Sequence, residues 1–436
     1  MLRILATNDF GGAFVPVATS WGVAGTFAGM CELLDREREA QPTVWLDAGD
    51  LTVGAVHPLL GPRRWDEIGT LPISAAAAGN HEFDDGVPAL LDAAERTGFP
   101  LLCANLDVGL PRSTLVDTGA GPLGVIGLTH PNTPLHAGTP PLADGWEERV
   151  EPLARDLRDQ GARWVVALLH DGATWWPDGD GIATSAERLE GIAAPWAHAV
   201  DLILGGHTLG AWTGELAGTP AGHGFPFGGS VLVADLPDPP GRACIRGHRP
   251  IPAAHPGPAS AAAAALEQAG VEIAGESGQT WVTRTGARRY LPQLVADAFR
   301  AATGAEAAVV PAGQHSTQAP RDGVLAAIHA GPVTRLDLLR LFNYDDDHLV
   351  VFELEPGELR RALNTCAAQA DPANRAADDV WWNLPRMPPA VSTATPEPTL
   401  IAALHWVAPR IGDWLGREVE TRPTGAGARD ALLRGL

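Results

Sequence analysis

One arrangement recurs along this chain and limits what it can become: a short apolar run that stops abruptly at a polar, often glycine-containing stretch. Leu2 to Thr7 (LRILAT) stops at Asn8-Asp9, and Thr43 to Leu46 stops at Asp47-Ala48-Gly49-Asp50. Trp164 to Leu169 stops at His170-Asp171, and Asp201 to Leu204 stops at Gly205-Gly206-His207. Apolar runs this short, bounded by polar turn residues, are buried strands that deliver polar groups at their C-terminal ends. Between them lie segments with helical apolar spacing: Phe27 to Glu39, Val87 to Thr97 and Glu147 to Gln160. Strand alternating with helix predicts an α/β layered fold, in which ligands sit beyond the carboxyl ends of the strands. The polar groups at the strand ends are therefore expected to converge on one sheet edge.

The densest of these polar stretches is Ala78-Gly-Asn-His-Glu-Phe-Asp84. It follows a small-residue run from Ser74 to Ala78 that lets the backbone pass close to a neighbour. An amide, an imidazole and two carboxylates there suit metal ligation and proton transfer, although an Asn-His pair also serves as a turn or cap. Asp9, Asp50, Asn80, His170 and His207 all fall at strand ends. Carboxylate, amide oxygen and imidazole together suit manganese, zinc or iron rather than calcium or a thiolate-bound metal. Each has an ordinary reading alone: Asp9 and Asp50 as helix caps, Asn80 as a turn residue, the histidines as core residues. Taken jointly, at successive strand ends, they read as a metal site.

A chain of 436 residues exceeds one ordinary core. The division expected is a first domain over 1–245, a Pro-rich then Ala-rich linker and helix over 246–279, and a second α/β domain over 280–436. The second domain carries a helix over Leu291 to Ala302, a strand over Leu349 to Leu354, a Pro356-Gly357 turn and a helix over Glu358 to Cys366. The stretch 367–396, rich in Pro, Asn and Trp, takes no assignment. A formal net charge of −21 argues against nucleic acid as a partner but permits a small phosphorylated substrate. The chain contains no lysine, which excludes Schiff-base chemistry and a Walker-type lysine. Cys31, Cys103, Cys244 and Cys366 are scattered and read as reduced thiols. No run approaches the roughly 18 apolar residues of a membrane span, so no membrane partner is expected. The opening MLRILATNDF lacks the features of a secretory signal and reads as cytoplasmic.

Five blocks in order, Thr7-Asn-Asp9 with Gly11-Gly12, Asp47 to Asp50 (DAGD), Gly79 to Asp84 (GNHEFD), Leu168 to Gly172 (LLHDG) and Gly205 to Thr208 (GGHT), resemble the calcineurin-like metallophosphoesterases. The nearest branch is the bacterial 5'-nucleotidase family. Leu291 to Val310, Gly331 to Phe342 and Leu349 to Asn364 are similar to that family's C-terminal domain. The resemblance implies a layered metallophosphoesterase-like β-sandwich flanked by helices, plus a smaller α/β C-terminal domain. It also implies a two-metal hydrolase that cleaves a phosphate ester by in-line attack of activated water. By matched position, Asp50 would bridge the ions, Asn80, His170 and His207 would complete the second metal's shell, and Asp9 would serve the first. His81, held by Asp84, would stabilise the transition state or protonate the leaving oxygen.

The chain departs from that pattern in a paired way. The family's Asp-x-His has Gly11 in the histidine's place, and its Gly-His-x-His has Leu209. Neither can ligate, so the first site keeps only Asp9 and Asp50, and a mononuclear centre on Asp50, Asn80, His170 and His207 is expected. His57, His130 and His223 are the candidates for rescue. Where relatives carry a glycine-rich segment ending in arginine, this chain has Pro311 to Ser316 (PAGQHS). Asn105, Trp381 and Trp382 are the candidate substrate contacts. The expectation is a metal-dependent hydrolase that acts on a small, nucleotide-like phosphate ester with one divalent ion. A mononuclear metalloenzyme of other chemistry and a non-catalytic binding protein stay open, and the oligomeric state is not legible.

Overall fold

The structure, a computed structural model, describes residues 1–131, 133, 139–178, 181–257, 259–284, 286–312, 321–344, 347–369 and 389–436. They divide into two compact units, Met1–Thr174 with Thr184–Leu266, and Trp175–Ala183 with Glu267–Leu436.

The first unit is built on two six-stranded sheets. In one, Leu2–Thr7, Thr43–Asp47, Ala75–Ala77 and Leu101–Leu102 run parallel, with Val231–Leu236 and Cys244–Arg249 added antiparallel at the edge. In the other, Leu123–Leu128, Trp164–Leu169, Leu202–Gly205 and Thr219–His223 run parallel between two antiparallel edge strands. The strand Trp164–Leu169 explains why these elements read as unbroken apolar runs. Trp164, Val166 and Leu168 pack between the sheets against residues such as Ile4 and Leu46. Val165, Ala167 and Leu169 face the other way and pack with Val150, Ala154 and Leu157 of the helix Val150–Asp159. Both faces are dry, so period-two alternation is absent. Each large aliphatic side chain buried this way stabilises the sandwich by about 1.5–3 kcal/mol.

Helix Phe27–Ala40 starts where the Thr26 hydroxyl accepts the Gly29 amide at 3.0 Å. It buries Phe27, Met30, Leu33 and Leu34, and Phe27 stacks on Phe10 at 4.3 Å between ring centroids. The expected helix over 147–160 is present as a 3-10 turn, Trp146–Arg149, followed by Val150–Asp159. The stretch 246–279 holds the end of strand Cys244–Arg249, helix Ala261–Val271 and strand Ile273–Ser277.

The second unit centres on a five-stranded sheet in which Ala307–Val310 and Leu400–Leu404 are parallel and the other pairings antiparallel. Helix Leu291–Thr303 stops at Gly304, whose φ of 69° no β-carbon opposes. Helix Arg335–Leu341 begins with a capping box between Thr334 and Asp337. Within the unassigned stretch 367–396, Ala390–Thr393 forms a strand along Ala307–Val310. The layered α/β sandwich with a smaller α/β unit agrees with the fold class expected from the strand–helix alternation and the family resemblance.

Candidate metal centre

Both sheets of the first unit end their parallel strands at the residues of interest: Thr7 before Asn8-Asp9, Asp47 before Asp50, Ala77 before Asn80, Leu169 before His170 and Gly205 before His207. The loops that follow are strained. Five non-glycine residues have positive φ among the described residues, and four of them belong to this region: Asp9 (47°), Asp50 (61°), His207 (67°) and Phe227 (52°). Such a backbone costs about 1–3 kcal/mol per residue and persists where the surroundings impose it. Its effect here is to turn each chain sharply at the strand end. Gly79 lets the chain pass close to Asp50, since a β-carbon there would stand 2.2 Å from Asp50 Oδ1.

Asp50, His170 and His207 form a buried group whose donor atoms lie within 4.8 Å of one another, the only such cluster of His, Cys, Asp and Glu among the described residues. Asn80 closes it. Its Oδ1 is 3.1 Å from His170 Nε2 and 2.9 Å from His207 Nδ1, while His170 Nε2 is 3.2 Å from Asp50 Oδ2. With ion–donor bonds of about 2.0–2.2 Å, donors on neighbouring vertices of a coordination shell stand roughly 3 Å apart. The four side chains fit a divalent ion on that measure and on donor type. Burial alone would push the His170 imidazole down, but Asp50 beside it raises it to about 10. The same pairing holds Asp50 below its usual range although burial opposes that. Burial, then His130 and His170, keep His207 neutral, well below an ordinary imidazole.

His81 follows Asn80 and points its Nδ1 at Asp84, 3.0 Å from Oδ2. Its backbone amide donates to Asp50 Oδ1 at 3.0 Å, which ties this residue to the donor cluster. Burial lowers the imidazole's proton affinity, but Asp84 and then Asp50 raise it to about 9. About a fifth of the His81 side chain stays exposed. Glu82 points inward. Its carboxylate accepts the amides of Gly79 at 2.6 Å, Asp50 at 2.8 Å and Leu51 at 3.0 Å, so it braces the two loops against each other.

Asp9 is placed differently from the four donors. Its Oδ2 accepts the His207 amide at 2.7 Å and Asn8 Nδ2 at 2.8 Å, which fixes the left-handed turn at His207. Asn8, which the sequence did not single out, also accepts the Gly224 amide at 2.9 Å. None of the rescue candidates joins the cluster. His57 Nε2 pairs with Asp85 at 3.3 Å, and His223 Nε2 accepts the Ala173 amide at 3.1 Å. His130 lies flat on His207, with ring centroids 3.8 Å apart.

Asn105, a candidate substrate contact, is buried and braces the backbone at Thr129. Its Nδ2 donates to the Thr129 carbonyl at 2.8 Å and its Oδ1 accepts the Thr129 amide at 2.9 Å, so both ends of the amide hold one backbone position. Trp381 and Trp382, and all of the PAGQHS segment beyond Ala312, lie outside the described residues.

Fold and donor set together define a two-unit α/β protein of metallophosphoesterase type. Residues 2–211 match the profile of the calcineurin-like phosphoesterases, and residues 268–383 match that of the 5'-nucleotidase C-terminal domain. The chain belongs to this family, in its two-domain 5'-nucleotidase form. The 5'-nucleotidase of Mus musculus is 28% identical over 233 residues, 49% of this chain and 37% of its own length. The snake venom 5'-nucleotidase of Naja atra is 30% identical over 179 residues, 37% of this chain and 31% of its own. The aligned region thus spans about a third of these relatives. Among solved structures, a 5'-nucleotidase precursor from Thermus thermophilus superposes with a TM-score of 0.74 at 19% identity, over 100% of this chain and 96% of that one. A sulfate thiohydrolase of the same organism gives 0.70 at 17%, over 99% and 94%. Likeness at these identities is likeness of fold, and the two neighbours carry different activities in their names.

Proposed function

We propose that this chain is a metal-dependent hydrolase that cleaves a phosphate ester of a small, nucleotide-like molecule with a single divalent ion, manganese, zinc or iron. The observation that carries the reading is the convergence of Asp50, Asn80, His170 and His207 at coordination spacing beside the His81–Asp84 pair. The 5'-nucleotidase names of the curated relatives support the substrate class.

A divalent ion held by these four residues supplies Lewis-acid polarisation of a phosphoryl oxygen and lowers the pKa of water at neutral pH. The chain's own residues do the rest. His170 donates Nδ1–H to the Ala48 carbonyl at 2.7 Å, which leaves Nε2 as the nitrogen that faces the cluster. His81, anchored to Asp84 through Nδ1, presents its outer nitrogen to the departing oxygen as the proton donor. Glu82 and Asp9 act at one remove by fixing the loops that carry Asp50 and His207.

Turnover on a panel of phosphate monoesters, measured alongside bound metal, tests the reading. We expect hydrolysis that needs metal and falls about 10²–10⁴-fold in His81→Ala, with metal content unchanged. Undiminished turnover in that variant would reject the assignment.

A further inference from the structure

We propose that Phe227 fills the space that a metal-binding side chain at position 11 would need, and so closes the first half of the centre to a second ion. The inference rests on the single-ion reading above and names the residue that enforces it.

A β-carbon on Gly11 would stand 2.5 Å from Phe227 Cδ1 and 2.8 Å from Cε1. Those atoms belong to a planar ring, which must swing as a whole about χ1 or χ2 to make room. The ring's backbone cannot easily withdraw. The Phe227 amide donates to the Asp9 carbonyl at 2.8 Å, and the Gly25 amide donates to the Gly228 carbonyl at 2.9 Å, pinning the turn on both sides. The Gly11 amide donates to the Asp50 carbonyl at 3.3 Å, and its φ of +64° is the left-handed backbone that Asp50 and His207 also adopt. Position 11 is therefore closed by the neighbouring ring, since His207 shows that an imidazole residue takes the same left-handed backbone. Leu209, the other position where a ligand is missing, is 2% exposed and offers no lone pair. What is left of this half is Asp9, whose Oδ2 already serves His207 and Asn8. Phe227 thus turns what would be a second cation subsite into an apolar wall.

The test is ion stoichiometry, read by elemental analysis after equilibration of the full chain with manganese and removal of free metal. We expect one ion in the wild type, one in Gly11→His with Leu209→His, and two when Phe227→Ala is added. Two ions in the double variant would show that the ring is no barrier, and one ion in the folded triple variant would show that it is not the barrier that matters. Either overturns the inference. A wild type with no ion would instead reject the parent reading. A thermal cycle of Gly11→Ala, Phe227→Ala and their combination measures the same clash without metal. Gly11→Ala should lower Tm far more beside Phe227 than beside Ala, while additive shifts would contradict the proposal.

Discussion

His170 Nδ1 lies 2.7 Å from the carbonyl oxygen of Ala48, an acceptor that has no proton to give. That contact fixes a proton on Nδ1 and reserves Nε2 for the cluster, as the hydrogen-bond partners of metal-binding histidines do. Loss of the imidazole removes one of the four donors of the cluster. His170→Ala should therefore weaken divalent-ion binding by at least about 100-fold, as measured by competition with a chelator. Wild-type affinity in that variant would remove His170 from the site.

The His81–Asp84 pair gives a graded prediction. His81→Ala deletes the proton donor, whereas Asp84→Asn keeps the donor and weakens the group that orients it and favours its protonated form. The loss in kcat should be about 10²–10⁴-fold for His81→Ala and smaller for Asp84→Asn. Steady-state kinetics at matched metal occupancy decides it, and equal losses would mean that Asp84 does more than orient the ring.

Glu82 tests the architecture apart from the chemistry. Three backbone amides from two loops end on its buried carboxylate. Glu82→Ala leaves them unpaired at about 1–3 kcal/mol each, so several kcal/mol of stability should vanish. Denaturant unfolding measures it. A variant within about 1 kcal/mol of the wild type would show that the loops hold without the brace.

Acid stability offers a prediction far from the site. Asp235 is nearly buried and bonds Arg3 at 2.9 Å and Arg246 at 2.7 Å. Burial raises its pKa, but the two guanidiniums outweigh burial and hold it below the ordinary value of 3.8. A carboxyl whose folded pKa is depressed stabilises the fold above its unfolded pKa, and that stability is lost as pH falls through the folded value. The Tm advantage of wild type over Asp235→Asn should thus be steady at neutral pH and shrink below 3.8. An advantage that grows on acidification would have the wrong sign.

Much of this centre was legible because its residues end strands. In a parallel sheet, successive strand ends point the same way, so a polar residue just after each apolar run predicts a convergence without further knowledge. His170 and His207, far apart in sequence, both meet Asn80 for that reason. What stayed hidden was the geometry that long-range contacts impose. Nothing in the identity of Asp9, Asp50 or His207 announces a left-handed backbone, which Asp and His adopt only when neighbours demand it. Asn105 shows the same limit, because a buried amide can serve substrate or backbone, and its contacts to Thr129 become visible only in the fold. Phe227 gave no signal at all. It has no polar group, and its meaning depends on a glycine near the opposite end of the first unit.

Asp50, Asn80, His170 and His207 are proposed to hold one divalent ion together. Elemental analysis of the full chain, equilibrated with manganese or zinc and freed of excess metal, tests it most directly, with His170→Ala alongside. One ion per chain is expected, lost in the variant. No ion in the wild type, or two, would contradict it.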